Sequence, residues 1–109
     1  MISYAQSPSL TVKRADKNTI ECVIENPTGF NLYMGQEYRL FVVENDDMRE
    51  IDLSNVPMTL ELFGVETGDT LDFVANLPFD LEPGTYMIAK PVSVGGEQEA
   101  VIAGSFVIG

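Results

Sequence analysis

In the stretch Asn18-Thr19-Ile20-Glu21-Cys22-Val23-Ile24-Glu25-Asn26, apolar and polar residues alternate. Ile20, Cys22 and Ile24 fall on one face; Thr19, Glu21 and Glu25 fall on the other, with Val23 the one apolar exception. A period of two marks a half-buried strand, because successive side chains of an extended chain point to opposite sides. A helix needs apolar residues three and four apart, and that spacing is hard to find anywhere in the chain. Asn26-Pro27-Thr28-Gly29 then ends the strand, since Pro cannot donate to a ladder and Gly accepts positive φ.

The same period recurs outward from this segment. Ser9 to Lys13 reads as an edge strand near the N-terminus. About Gln36 to Glu44, Tyr38, Leu40 and Val42 oppose Glu37, Arg39, Phe41 and Val43. Both faces are partly apolar, which predicts a central strand. Asn45-Asp46-Asp47 reads as a turn and Met48 to Ile51 as a short return strand. Asp52 to Phe63 is the least legible part: Pro57 argues against a central strand, while Met58, Leu60 and Leu62 alternate as in a short one. Gly64 to Asp69 reads as a turn and Thr70 to Ala75 as a one-sided strand. Glu82-Pro83-Gly84 predicts a tight turn. Thr85 to Val92 follows, with Tyr86, Ile88 and Lys90 opposite Thr85, Met87 and Ala89; Gly95-Gly96 predicts a hairpin turn, and Ala100 to Ile108 closes the chain. Seven to eight short strands at this spacing predict an all-β, antiparallel sandwich in one domain over residues 1–109.

The 109 residues carry six Lys and Arg against seventeen Asp and Glu, a net charge of −11. So acidic a chain repels phosphate backbones, which sets nucleic acid aside as a partner. One cysteine, Cys22, excludes an intrachain disulfide and leaves the compartment open. No stretch approaches the ~18 apolar residues of a membrane span, and Met1-Ile2-Ser3-Tyr4 has no basic or apolar leader region. Two settings follow: the extracellular space or cell envelope if this is an excised domain, the cytoplasm if the chain is complete.

Leu81-x-Pro83-Gly84-x-Tyr86 is the most specific local spacing. It looks like a tyrosine corner, in which a Tyr at the start of a strand turns its hydroxyl back to a backbone group a few residues upstream, a device of immunoglobulin-type sandwiches. Three segments then occur in order. Ile24-Glu25-Asn26-Pro27-Thr28-Gly29 leads to Tyr33-x-Gly35-x-Glu37-Tyr38-x-Leu40. Val65-Glu66-Thr67-Gly68-Asp69-Thr70 comes next, and Leu81-Glu82-Pro83-Gly84-Thr85-Tyr86-Met87-Ile88-Ala89-Lys90-Pro91 is the third. Over about residues 10–109 the chain resembles the bacterial Ig-like domains of envelope lipoproteins and surface proteins of Gram-positive bacteria. Thr67 stands where the family usually has Pro. The resemblance implies an immunoglobulin-like β-sandwich; its motifs are turn and core residues and say little about function. The Tyr38 strand is also similar to Ig-like bacterial intracellular proteinase inhibitors.

Catalytic chemistry is hard to place. Without His, Ser-His-Asp and Cys-His mechanisms are excluded within the chain. Cys22 sits on an apolar strand face with no cation nearby in sequence, which predicts an inert thiol. The acidic pairs Asp46/Asp47, Asp69/Asp72 and Asp80/Glu82 fall at turns or solvent-facing strand positions, where carboxylates stay solvated. Glu44-x-Asp46-Asp47 offers too few oxygens for Ca²⁺, and no D-x-D-x-D-G loop is present. No cofactor, metal or catalytic residue is expected.

The expected function is a non-catalytic interaction or spacer module of a bacterial cell-envelope or secreted protein, with a protein partner the sequence does not identify. Loops at the sandwich ends or an open sheet edge would bind it. Phe30 and Tyr33, and the hairpin turn at Gly95 and Gly96, are the interaction candidates; Tyr86, Pro83 and Gly84 are structural. The alternative is a proteinase inhibitor using Asn26–Gly35, Asp52–Gly64 or Gly95–Gln98 as a wedge. A carbohydrate-binding module ranks last, because the chain has no Trp to stack on sugars.

Overall fold

A computed structural model describes residues 4–58 and 61–109. Nine strands occur among them, one or two more than the sequence pattern predicts: β1 Ser9–Ala15, β2 Thr19–Glu25, β3 Leu32–Met34, β4 Arg39–Glu44, β5 Asp47–Glu50, β6 Phe63–Val65, β7 Thr70–Asn76, β8 Gly84–Val94 and β9 Gln98–Ile108. All pairings are antiparallel. The smaller sheet runs β1-β2-β7; the larger is built on β8, with β9 on one side and β4 followed by β3 on the other, β5 outside β4 and β6 outside β3. The protein is an all-β sandwich.

Alternation builds the core. Ile20, Cys22 and Ile24 point inward from β2 and are buried, while Glu21 and Glu25 stay exposed. Leu40 and Val42 from β4 meet Tyr86, Ile88, Val92 and Val94 from β8, and Ile102, Phe106 and Ile108 from β9. Burying a side chain of this kind is worth about 1.5–3 kcal/mol, so the inward faces carry most of the stabilisation.

Pro91 lies within β8, where a missing N–H would ordinarily break a ladder. It falls in the gap where β4 has ended at the partner of Ala89 and β3 has not begun at the partner of Ser93. The exchange of neighbours along β8 thus accommodates it.

Several sequence expectations shift. The strand expected from Gln36 begins at Arg39, although Tyr38 is still buried. Gly64, read as the start of a turn, pairs with Tyr33 in the short β3–β6 ladder; three-residue strands are too short for periodicity to reveal. The turn instead begins after Val65. Gly84 opens β8 opposite Ile108 rather than occupying a tight turn. The strand suggested by Met58, Leu60 and Leu62 lies partly outside the described residues. Asn45 and Asp46 take positive φ of 50° and 66°, the mirror-image turn that matches strand twist in a two-residue hairpin.

Candidate interaction surface

The outer face of the larger sheet is built from residues that alternate with the core. Thr85, Met87, Ala89, Pro91 and Ser93 point out from β8; Val101, Ala103, Ser105 and Val107 point out from β9; Phe41 and Val43 point out from β4. Register aligns them in rows: Met48–Val43–Thr85–Val107, then Glu50–Phe41–Met87–Ser105, then Arg39–Ala89–Ala103, then Pro91–Val101. Val107 is 71% exposed, Val101 69% and Met48 51%. Among the described residues, the charged groups on this face are Arg39, Glu50 and, around the Pro91 end, Glu37 and Glu99. Arg39 and Glu50 neutralise each other in a two-point contact, Nε to Oε2 at 3.0 Å and Nη2 to Oε1 at 2.5 Å. Those hydrogen bonds hold the Glu50 carboxyl below the ordinary carboxylate range. The guanidinium also lies 5.8 Å from the Phe41 ring centroid.

The outer face of the smaller sheet is different in kind. Glu21, Glu25 and Asp72 project from it, and Lys13 and Arg14 cross it as ion pairs with Asp72 (3.6 Å) and Glu21 (3.9 Å). One sheet face is mainly charged, with Val74, 47% exposed, the large apolar side chain standing open on it. The other gathers several exposed apolar side chains, and contiguous exposed apolar patches mark interaction sites.

Of the residues singled out from sequence, Tyr33, Gly95 and Gly96 come together at one end of the larger sheet. The Gly95 N–H donates to the Asn31 carbonyl at 2.7 Å. The Tyr33 ring lies beside Gly64 and Gly96, where added Cβ atoms would stand 3.8 and 3.9 Å from it. Tyr33 pairs with Ser93, so its side chain continues the apolar outer face. Phe30 follows in the preceding loop; it and Tyr33 are 38% and 36% exposed. Leu62 joins Tyr33 and Pro91 around a shallow depression.

Asn26, read from sequence only as a strand stop, organises this end. It is buried, and its amide donates to the carbonyls of Phe30 (2.7 Å) and Val65 (2.8 Å). Its Oδ1 accepts from the Thr28 hydroxyl at 2.7 Å, and its backbone bonds to Gly68 and Asp69. A fully satisfied buried amide of this kind fixes two loops at once. The 26–35 segment suggested as an inhibitor wedge is therefore stitched to the sheet, and Gly95–Gln98 reduces to a three-residue hairpin loop.

Tyr86, Pro83 and Gly84 lie at the opposite end. The Tyr86 hydroxyl donates to the Glu82 carbonyl at 2.6 Å, and its ring stacks on Phe106 with centroids 5.6 Å apart. Pro83 lies against Gly109.

Sequence reasoning missed Lys90. Alternation places it with Tyr86 and Ile88 on the inward face, and its ammonium is wholly buried. Nζ donates to the carbonyls of Gly35 (2.6 Å) and Glu37 (3.0 Å) and sits 4.2 Å from the Phe73 ring centroid. Burial pulls its pKa from 10.5 to about 8, with Glu37 and Cys22 opposing that shift. The expected lack of a cation near Cys22 holds in sequence and fails in space. Burial still dominates over Lys90 and pushes the thiol up to about 11, away from reactive thiolate.

A cleft of about 400 Å³ opens beside β7, lined by Tyr38, Phe63 and Phe73 among others. The Tyr38 hydroxyl is buried without a hydrogen-bond partner, while Asp72 and Asn76 are exposed positions of an outer strand. Converging polar groups that would orient a small molecule are thus few. Among the described residues no three His, Cys, Asp or Glu side chains converge to hold a metal ion, and no helix is long and apolar enough to cross a membrane.

Neither a family model nor a curated protein sequence matches the chain. Solved structures do share the fold. The archaellum periplasmic stator protein FlaG from Sulfolobus acidocaldarius superposes with a TM-score of 0.54 at 11% identity, covering 92% of this chain and 100% of that one. A chain of the FlaF–FlaG stator complex from the same organism gives 0.54 at 12% identity, covering 97% and 100%. At such identity the likeness establishes a common β-sandwich architecture over nearly the whole chain.

Proposed function

We propose that this chain is a non-catalytic immunoglobulin-like interaction module of a cell-envelope or extracellular assembly, and that it engages a protein partner through the outer face of its larger sheet. The contrast between the two sheets carries the reading. Leaving Val101, Val107, Met48 and their neighbours in water forgoes about 25 cal/mol for each Å² of apolar surface. A covering partner recovers that free energy, and the charged outer face of the smaller sheet keeps the module soluble.

Two further observations support it. The fold is shared with stator proteins, including a chain of a complex of two stator proteins, FlaF and FlaG. The motifs resembling bacterial Ig-like domains point to the same setting, a domain displayed outside the cytoplasm. Among the described residues no cluster argues for catalysis: the thiol is held protonated, and the acidic pairs stand at exposed positions.

Site-specific photocrosslinking in the native cell tests the reading. A benzophenone side chain at position 101 should give a discrete protein adduct in the envelope or extracellular fraction. The same group at position 23, on the outer face of the smaller sheet, should give none. Equal labelling from both positions, or a chain confined to the cytosol without adducts, would overturn it.

A further inference from the structure

We infer that the apolar face of the larger sheet is closed by the same face of a second copy of this chain, in a two-fold sheet-on-sheet dimer. The inference rests on the reading of that face as an interaction surface and names what covers it.

Charge is the first argument. The chain carries −11, yet the charged groups on this face, among the described residues, are the mutually neutralised Arg39 and Glu50, with Glu37 and Glu99 near one end. A face that holds so few of the chain's charges calls for a partner surface equally poor in charge. A basic partner would be drawn instead to the acidic residues elsewhere on the molecule. The chain's own face meets the requirement. Pairing two such faces turns both charged smaller sheets outward, separated by two sandwich thicknesses and far beyond the ~8–10 Å over which salt leaves repulsion unscreened.

Area is the second. β8 and β9 each run eleven residues, about 36 Å at ~3.3 Å per residue. The sheet is three to four strands wide at ~4.8 Å spacing, so the face covers about 600 Å². Two copies bury about 1,200 Å², the lower bound for a stable specific interface.

Shape is the third. The middle row of the face is Arg39, Ala89 and Ala103; Ala89 and Ala103 are the central pair of the β8–β9 ladder, with Ser105 in the next row. Larger side chains, Met87, Val101 and Val107, flank this row. Small residues on the axis let two sheets approach to the ~10 Å of ordinary face-to-face packing, and a two-fold operator makes one surface complementary to itself.

Sedimentation of the purified chain, with engineered thiols as a second readout, tests the inference. The wild type should show a concentration-dependent dimer. V101E combined with V107E should weaken it at least tenfold, and V23E on the opposite sheet should leave it unchanged. Ala103→Cys, near the two-fold axis, should form a symmetric disulfide under mild oxidation, whereas Val23→Cys should not; native Cys22 is buried and does not compete. A wild type that stays monomeric up to millimolar concentration, with no disulfide in the Ala103→Cys variant, overturns the inference, as does a dimer indifferent to V101E and V107E. If that monomer still yields position-101 adducts to a different protein in cells, the interaction face stands and self-pairing falls. If the adducts are absent as well, both fall.

Discussion

Tyr86 and Lys90 sit on the same face of β8 and solve the burial of a polar group in two ways. Tyr86 packs its ring on Phe106 and satisfies its hydroxyl with one carbonyl four residues upstream. Tyr86→Phe removes the donor and leaves the Glu82 carbonyl unpaired, which should cost about 1 kcal/mol or more in urea unfolding; an unchanged midpoint would mean the bond contributes nothing. Lys90 satisfies its ammonium with two carbonyls and a ring face, at the expense of hydration. Its folded pKa of about 8 lies below the unfolded value of 10.5, so between these the unfolded chain holds more protons and stability rises with pH. Cys22 acts oppositely: its folded pKa of about 11 exceeds the ordinary 9.0, so stability falls as pH climbs above 9. The raised tyrosines Tyr38 and Tyr86 add to that fall above pH 10. The wild type should therefore gain urea resistance from pH 8 to 9, by at most about 1.4 kcal/mol per pH unit, and then level off. Lys90→Met should abolish the gain.

At the scale of elements, close approach between strands rather than propensity decides the sandwich's closed side. β1 belongs to the smaller sheet and β9 to the larger, yet they run against each other. A Cβ at Gly104 would stand 2.9 Å from Leu10 Cδ2 and 3.0 Å from the Leu10 carbonyl oxygen. A side chain tip can rotate aside; a strand carbonyl cannot. Gly104→Ala should therefore destabilise the domain by roughly 1–3 kcal/mol in chemical denaturation, as overpacking does elsewhere. Any stabilisation would show that β1 moves freely. Periodicity made β2, β4, β8 and β9 legible, because each runs six residues or more. It could not show β3 and β6, which are three residues each and depend on partners far apart in sequence. The role of Asn26 was hidden for the same reason: its acceptor at Val65 is 39 residues away.

At the scale of the whole molecule, charge works against compactness. Seventeen acidic side chains share the surface with few cations, and one of the six basic residues, Lys90, is buried. Self-repulsion of this kind lowers stability at low ionic strength and is screened by salt. Raising NaCl from about 10 mM to about 0.5 M, where the Debye length falls to a few Å, should raise the melting temperature. A fall would mean that exposed pairs such as Lys13–Asp72 contribute more than the repulsion does.

The order of residues by itself determined the fold class and the absence of a histidine-based mechanism. Alternation is local, and a missing residue type is missing in any fold. It also placed Tyr86 at the start of its strand, and Phe41 and Val43 on the face opposite Leu40 and Val42. What it left open was whether those second faces were covered. A strand that is apolar on both sides reads as central, and β4 does lie between β5 and β8, but a sequence cannot say whether another layer lies above it. Only the tertiary structure showed that the larger sheet is packed on one side and open on the other. Only it brought Lys90 beneath Phe73 and beside Cys22, since both contacts join residues whose separation along the chain carries no signal of their proximity.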